Sequence, residues 1–386
     1  MYMELKPHQV KYAKGYKDKA LLAHETGSGK TVCACVWLKD GRDIDALVVC
    51  PKRVLNKWRV ELRKWGTEGT VVSKEQFKKT PIRQWSAIIL DEADEFASPL
   101  FTKGRSQLSE SMYNLIRAYP NMPVLLLSAT PVRSNPWNLH TLLCFIGIYI
   151  DWKKFREVFF VLEYRPFMNR PAYFPVSDWR KRIRVLLEKH ADIVLLRDCV
   201  DELPPFEEVI TLVKSEKYSN NDILQPKEAF VDEHRHEQKN KLKTILEIAK
   251  GYRKVLVVAY YVEQIKELEK QLSKDRLTYA IHGGTKDQEK LLKEANSKYT
   301  DECFLIVQAS IGCGFDADTF SCVIFTSMSY SVRDLVQMRG RVRRTHNLHP
   351  VIYHYLMGGR CDKAVYKNVQ LGKDFVPSTW NKYGTP

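Results

Sequence analysis

The chain has 386 residues, 44% hydrophobic and 28% charged, with a net charge of +15 and a pI near 9.2. Length and apolar content are those of a soluble globular protein of two or three domains, and the positive excess points to a polyanionic partner, nucleic acid first and an anionic membrane surface second. The N-terminus lacks the apolar core of a signal peptide and no apolar run approaches the ~20 residues of a membrane helix, so a membrane protein is excluded. The nine cysteines stand without any C-x-x-C pair, which argues against a zinc knuckle and for reduced thiols in a cytoplasmic protein.

In chain order, the apolar run Ala20–Ala23 leads into Ala23-His24-Glu25-Thr26-Gly27-Ser28-Gly29-Lys30-Thr31, followed by a helical stretch. A strand, a glycine-rich turn and a helix N-terminus make a phosphate cradle. Gly27 and Gly29 let backbone N–H groups, with that of Ser28, approach the phosphates; Lys30 reaches the β/γ oxygens and Thr31 holds Mg²⁺. The strict pattern has glycine where His24 stands. Strands are predicted at Ala46–Cys50, Ala87–Leu90 and Val124–Leu127, with an amphipathic helix over Leu55–Trp65. The run Ala87–Leu90 ends in Asp91-Glu92-Ala93-Asp94. Asp91 is placed to hold Mg²⁺ through water, and Glu92 to orient and deprotonate the attacking water. Ser128-Ala129-Thr130 ends the next strand, where hydroxyls can bond the acidic motif.

Residues 151–205 are dense in aromatic and basic side chains, with helical spacing over Trp179–Lys189, and are read as a basic helical protrusion on the first lobe. Arg180, Lys181 and Arg184 are its candidate nucleic-acid contacts. Residues 206–240 read as a return strand and linker, because 215–240 is polar and charged. A second set of strands is predicted at Val255–Ala259, Cys303–Val307, Cys322–Thr326 and Val351–Leu356, with a helix over Val262–Leu272. Gln337-Met338-Arg339-Gly340-Arg341-Val342-Arg343-Arg344 lies on a helix starting near Ser331. Arg341 and Arg344 share one face of it, and their planar guanidinium groups suit phosphate oxygens.

These motifs, in this order, resemble superfamily-2 helicases and translocases, and most of all their Swi/Snf-type branch. Leu5-Lys6-Pro7-His8-Gln9 is similar to that branch's opening element. Its phosphate loop, Ala-Asp-Glu-x-Gly-x-Gly-Lys-Thr, also lacks the early glycine and matches Glu25. Val48-Val49-Cys50-Pro51 with Trp58 and Glu61, Leu203-Pro204-Pro205, His282-Gly283-Gly284 and Ser310-Ile311-Gly312-Cys313-Gly314-Phe315-Asp316 are further matches. The acid box departs from the branch, spelling Asp-Glu-Ala-Asp rather than Asp-Glu-Ala-His. The third motif departs too, with Ser-Ala-Thr in place of Thr-Gly-Thr.

The resemblance implies an α/β chain of two tandem RecA-like P-loop lobes with parallel sheets and ATP in the cleft between them. Its domains are lobe 1 at 1–150, the protrusion at 151–205, the return strand and linker at 206–240, and lobe 2 at 241–386. It implies that Gln9 reads adenine, that Gly314 and Asp316 contact the nucleotide, Asp316 at the ribose, and that Gln337, Arg341 and Arg344 complete the catalytic set with Lys30, Asp91 and Glu92. Pro51, Lys52, His282, Gly283 and Ser310 are expected along the nucleic-acid track. The expected cofactors are ATP and Mg²⁺. The expected partner is DNA, duplex favoured over RNA, and the expected state is a monomer. A compact build of this kind suits a phage or mobile-element enzyme. The rival readings are a DEAD-box-like RNA helicase, suggested by the acid box, and a nucleic-acid-binding scaffold without turnover.

Overall fold

The computed structural model describes residues 5–371 except 101–105, 133–134, 165–169, 200–202, 215–225, 298, 312–314, 345–346 and 348. The chain divides into two compact units, residues 1–201 and 202–386.

The first unit carries β1 (Lys19–His24), β2 (Ala46–Cys50), β3 (Thr70–Ser73), β4 (Ala87–Asp91), β5 (Val124–Leu127), β6 (Phe160–Glu163), β7 (Ala172–Pro175) and β8 (Ala191–Val194). Six of these form a parallel sheet in the order β3-β2-β4-β5-β1-β8, and β6 and β7 pair antiparallel as a separate hairpin. The central strands are apolar at nearly every position because helices cover both faces. Alternate residues feed two cores: Leu47, Val49, Ile88 and Leu90 face one way, while Val48, Cys50, Ala87 and Ile89 face the other.

The second unit repeats the plan with β9 (Phe206–Leu212), β10 (Lys254–Ala259), β11 (Leu277–Ile281), β12 (Cys303–Gln308), β13 (Cys322–Phe325) and β14 (Val351–Met357). Its parallel sheet runs β11-β12-β10-β13-β14-β9. Again alternate residues divide between two cores, Leu256 and Leu305 on one face, Val257 and Ile306 on the other. The eight described cysteines are free thiols. No described helix is long and apolar enough to cross a membrane.

Two stretches differ from the sequence reading. The segment read as a helical protrusion also contains the β6–β7 hairpin and the edge strand β8. Its helix Trp179–His190 turns Trp179 and Ile183 into the first unit's core, so it covers the sheet. The apolar spacing that marks a helix there marks a packed one. In the stretch read as strand and linker, the strand is β9, but Pro226–Ala249 forms a helix. Three of its polar residues, His234, Glu237 and Lys241, are buried. Lys241 Nζ lies 2.6 Å from Asp362 Oδ2, 3.0 Å from Glu237 Oε2 and 2.8 Å from the Thr326 carbonyl, with His234 Nδ1 at 3.4 Å. Among the described residues His234, Glu237 and Asp362 could together ligate an ion. The Lys241 ammonium in their midst already supplies the cation, so the set does not fit a metal.

Candidate nucleotide site and nucleic-acid-facing residues

Strand β1 ends at His24, and the helix Lys30–Leu38 begins five residues after Glu25. Gly27 and Gly29 take left-handed backbone, with φ of 92° and 89°, which a side chain disfavours. At Gly29 a Cβ would also run into the Gln9 amide. The helix N-terminus thus opens onto the turn, the arrangement that holds phosphate. Lys30 Nζ donates to the carbonyls of His24 at 2.8 Å and Glu25 at 3.2 Å, closing the loop into a ring. Ser28 is buried and its hydroxyl has no partner among the described residues, and Thr31 follows at the first turn of the helix, half-buried. The short helix Pro7–Val10 packs on this loop: the His8 ring lies 2.8 Å from the Ser28 carbonyl, and Gln9 Oε1 accepts from Lys6 N at 3.0 Å. Gln9 is therefore held against Gly29. An orphaned buried hydroxyl, two left-handed glycines and a helix N-terminus together fit a nucleotide's phosphates.

The acidic residues end β4, with β5 between β4 and β1, and all three parallel strands point the same way. Their C-terminal ends share one edge, where open α/β sheets bind ligands. The Trp58 indole donates to Asp91 Oδ2 at 2.8 Å, and Glu92 N donates to Asp91 Oδ1 at 3.1 Å. Two donors fix the carboxylate expected to share Mg²⁺ with Thr31. Glu92 has φ 52°, a left-handed backbone rare outside glycine, and such strain is costly enough to persist chiefly at working sites. Ser128 Oγ donates to Asp94 Oδ1 at 2.9 Å and accepts from Thr130 N at 3.1 Å. The third motif is thus joined to the acidic one, as its hydroxyls suggested.

Sequence reasoning missed a polar network beneath the phosphate loop. Tyr12 OH lies 3.1 Å from His24 Nε2 and also bonds Asp192; Lys11 Nζ lies 2.7 Å from Asp192 Oδ1. Burial alone would raise the Asp192 pKa, but hydrogen bonds from His24, Lys11 and Tyr12 hold it well below the usual carboxylate range. Burial lowers the His24 pKa and outweighs the raising effect of Asp192. His24 therefore stands where a generic phosphate loop has glycine because it ties the loop to β8. The Asp192 side of that tie comes from a distant strand, and nothing in local spacing announces it.

In the second unit, the helix Val332–Val342 buries Gln337 and Arg341. Arg344, just beyond it, places Nη2 2.7 Å from Asp316 Oδ1, and Arg341 Nη1 lies 3.9 Å from the same oxygen. The structure therefore brings Asp316 and both arginines together. Arg339 turns elsewhere, to the Tyr355 hydroxyl at 2.8 Å and to Glu208, and Arg343 donates to the Pro204 carbonyl at 2.9 Å. Gly314 lies outside the described residues.

The residues expected on the nucleic-acid track follow strand C-termini within their own units. Pro51 is buried after β2 and Lys52 is exposed beside it; His282 and exposed Gly283 follow β11; exposed Ser310 follows β12. Gly283 N donates to Gln308 Oε1 at 3.1 Å, linking the two second-unit loops. Arg180 stacks on the Trp179 ring with 4.5 Å from guanidinium carbon to centroid, Arg184 pairs with Glu188 at 2.8 Å, and Lys181 is exposed.

Residues 70–261 match the SNF2-related domain family, and residues 237–346 match the helicase conserved C-terminal domain. No curated protein matches in sequence. Among solved structures, the chain is similar to the Sulfolobus solfataricus SWI2/SNF2 ATPase core in complex with dsDNA, at 14% identity and a TM-score of 0.42, covering 97% of this chain and 93% of that one.

Proposed function

From the premise that this chain belongs to the Swi/Snf-type branch of superfamily-2 helicases, we propose that it is a DNA-dependent ATPase that couples ATP hydrolysis to movement along duplex DNA. The observation that carries the reading is the meeting, at one edge of the first sheet, of the Gly27–Lys30 cradle with the doubly anchored Asp91 and the strained Glu92.

In this reading the Gly27, Ser28 and Gly29 backbone and the Lys30 ammonium hold the triphosphate, and Gln9 borders the adenine. Thr31 and Asp91 would hold Mg²⁺, which when bound neutralises phosphate charge. Glu92 takes the proton of the attacking water. Turnover depends also on the second unit, through Gln337, Arg341 and Arg344, with Gly314 and Asp316 contributing to nucleotide binding. Asp316 holds both guanidinium groups until the nucleotide replaces it as their anionic partner. Pro51, Lys52, His282, Gly283 and Ser310 meet nucleic acid, and their grip on phosphates makes movement tolerant of sequence. The test is displacement of a third strand from a triplex-bearing duplex, with RNA duplex as the comparison. ATP-dependent displacement on DNA is expected; none on DNA, with ATPase stimulated by RNA instead, would overturn the assignment.

A further inference from the structure

The β6–β7 hairpin belongs to neither parallel sheet, and the function proposed above leaves it without a task. Its register sets Phe160 opposite Pro175 and Leu162 opposite Tyr173, so Phe160, Leu162 and Tyr173 share one face. At the base, Phe160 is buried and stacked on Trp137 at 3.6 Å between ring centroids. The same stripe then leaves the core: Leu162 is 54% exposed, Tyr173 40%, and Tyr164, just past the strand, 67%. Packing does not require these side chains, since the hairpin is already anchored at Phe160 and by the Val176 N–H bonded to the Phe159 carbonyl at 3.0 Å.

The surround is cationic. The Arg156 guanidinium sits 4.5 Å from the Tyr173 ring centroid, and residues 151–190 hold ten Lys and Arg against five Asp and Glu. A protein partner for so basic a surface would have to be acidic, whereas nucleic acid offers both halves of the match: phosphates for the cations and base faces for the rings. In an uninterrupted duplex those faces are covered by neighbouring pairs. They are open only where strands part.

We propose that the hairpin stacks on unpaired bases beside a duplex, through Tyr164, Tyr173 and Leu162, so that forked DNA is the substrate class this protein selects. The proposal rests on the reading of the chain as a DNA-dependent ATPase, and adds that the strand opening itself is recognised. The enzyme then dwells where a duplex branches, with Lys and Arg on the paired arm and the hairpin on the unpaired one.

The test compares the full chain on a blunt duplex and on a forked duplex of equal paired length, by fluorescence anisotropy and by ATPase stimulation. Wild type should bind the fork tighter by about tenfold or more, the scale of one stacked base. Leu162→Ser/Tyr164→Ser/Tyr173→Ser should bind both substrates alike, at the wild-type affinity for the blunt duplex, and keep its basal ATPase. Tyr164→Ser alone, at the most exposed position, should lose part of the preference, and Tyr164→Phe/Tyr173→Phe should retain it because the rings remain. Equal wild-type affinity for the two substrates, or an equal loss on both in the Ser variants, would overturn the proposal. A wild-type enzyme stimulated by blunt duplex but blind to the fork would sink the hairpin's role alone; one stimulated by no DNA would sink the DNA-dependent reading beneath it.

Discussion

Replacing Lys241 by Met should destabilise the second unit and leave the first unit's fold unchanged. Lys241 is buried on the helix Pro226–Ala249, between Asp362 Oδ2 at 2.6 Å and Glu237 Oε2 at 3.0 Å. Removing the cation leaves Glu237 and Asp362 buried without it, beside His234, whose pKa in the wild type is lowered to about 4 by burial and by the Lys241 charge. Breaking a buried pair by deleting one partner costs about 3–5 kcal/mol, enough to raise the open population of this unit by roughly two to four orders of magnitude. Seven of the eight tryptophans lie in residues 1–201, so tryptophan fluorescence during denaturation should report a wild-type transition for the first unit. Amide exchange in β13 and β14 should accelerate. Unchanged exchange there would refute the assignment of the cluster as the helix's anchor. The cluster also predicts a pH dependence. Burial, opposed in part by Lys241, pushes the Glu237 pKa up to about 7, above its unfolded value. The folded state therefore holds this proton longer than the unfolded chain, and the Glu237 contribution is most favourable below the unfolded pKa. It falls as pH rises toward about 7. Glu237→Gln should flatten the second unit's stability between those limits.

Gly29→Ala should weaken nucleotide binding by tenfold or more on the order of the strain at a left-handed position plus the collision with Gln9, measured by titration with a fluorescent ATP analogue; wild-type affinity would show that the loop tolerates a side chain. Arg341→Ala and Arg344→Ala should each cut turnover by roughly two orders of magnitude or more. Arg343→Ala, which loses a bond to the Pro204 carbonyl, should mainly lower stability, and equal catalytic losses at all three would count against the assignment. Arg180→Ala/Lys181→Ala/Arg184→Ala should flatten the slope of log affinity for duplex DNA against log salt by about 0.9 per phosphate released, two to three units in all. An unchanged slope would leave that helix as a cover of the sheet only.

The central strands of both sheets were legible because strands buried on two faces are written almost wholly in apolar residues. The β6–β7 hairpin, outside both sheets, was missed; within the two parallel sheets the strands missed, β3, β8 and β11, are all edges. Their text is shorter or mixed, as in Thr70–Ser73 and Leu277–Ile281, because an edge has fewer neighbours to exclude water. The helix at Pro226–Ala249 was hidden for another reason. Its polar face reads as linker, yet His234, Glu237 and Lys241 are polar because they meet Asp362, a partner more than a hundred residues on. At the nucleotide site, the loop glycines and strand-end acids follow from local pattern. The Trp58–Asp91 bond and the His24–Tyr12–Asp192 network do not, since they join segments that only the sheet order brings together.

The most direct measurement is steady-state ATP hydrolysis by wild type and Glu92→Gln, with and without duplex DNA, beside equilibrium ATP binding. Glu92→Gln keeps the side chain's shape and removes the base. Wild type should hydrolyse ATP faster when duplex DNA is added, while Glu92→Gln should bind ATP normally and turn over slower by roughly two or more orders of magnitude with or without DNA. Near-normal turnover in Glu92→Gln, or a wild-type rate indifferent to DNA, would contradict the account.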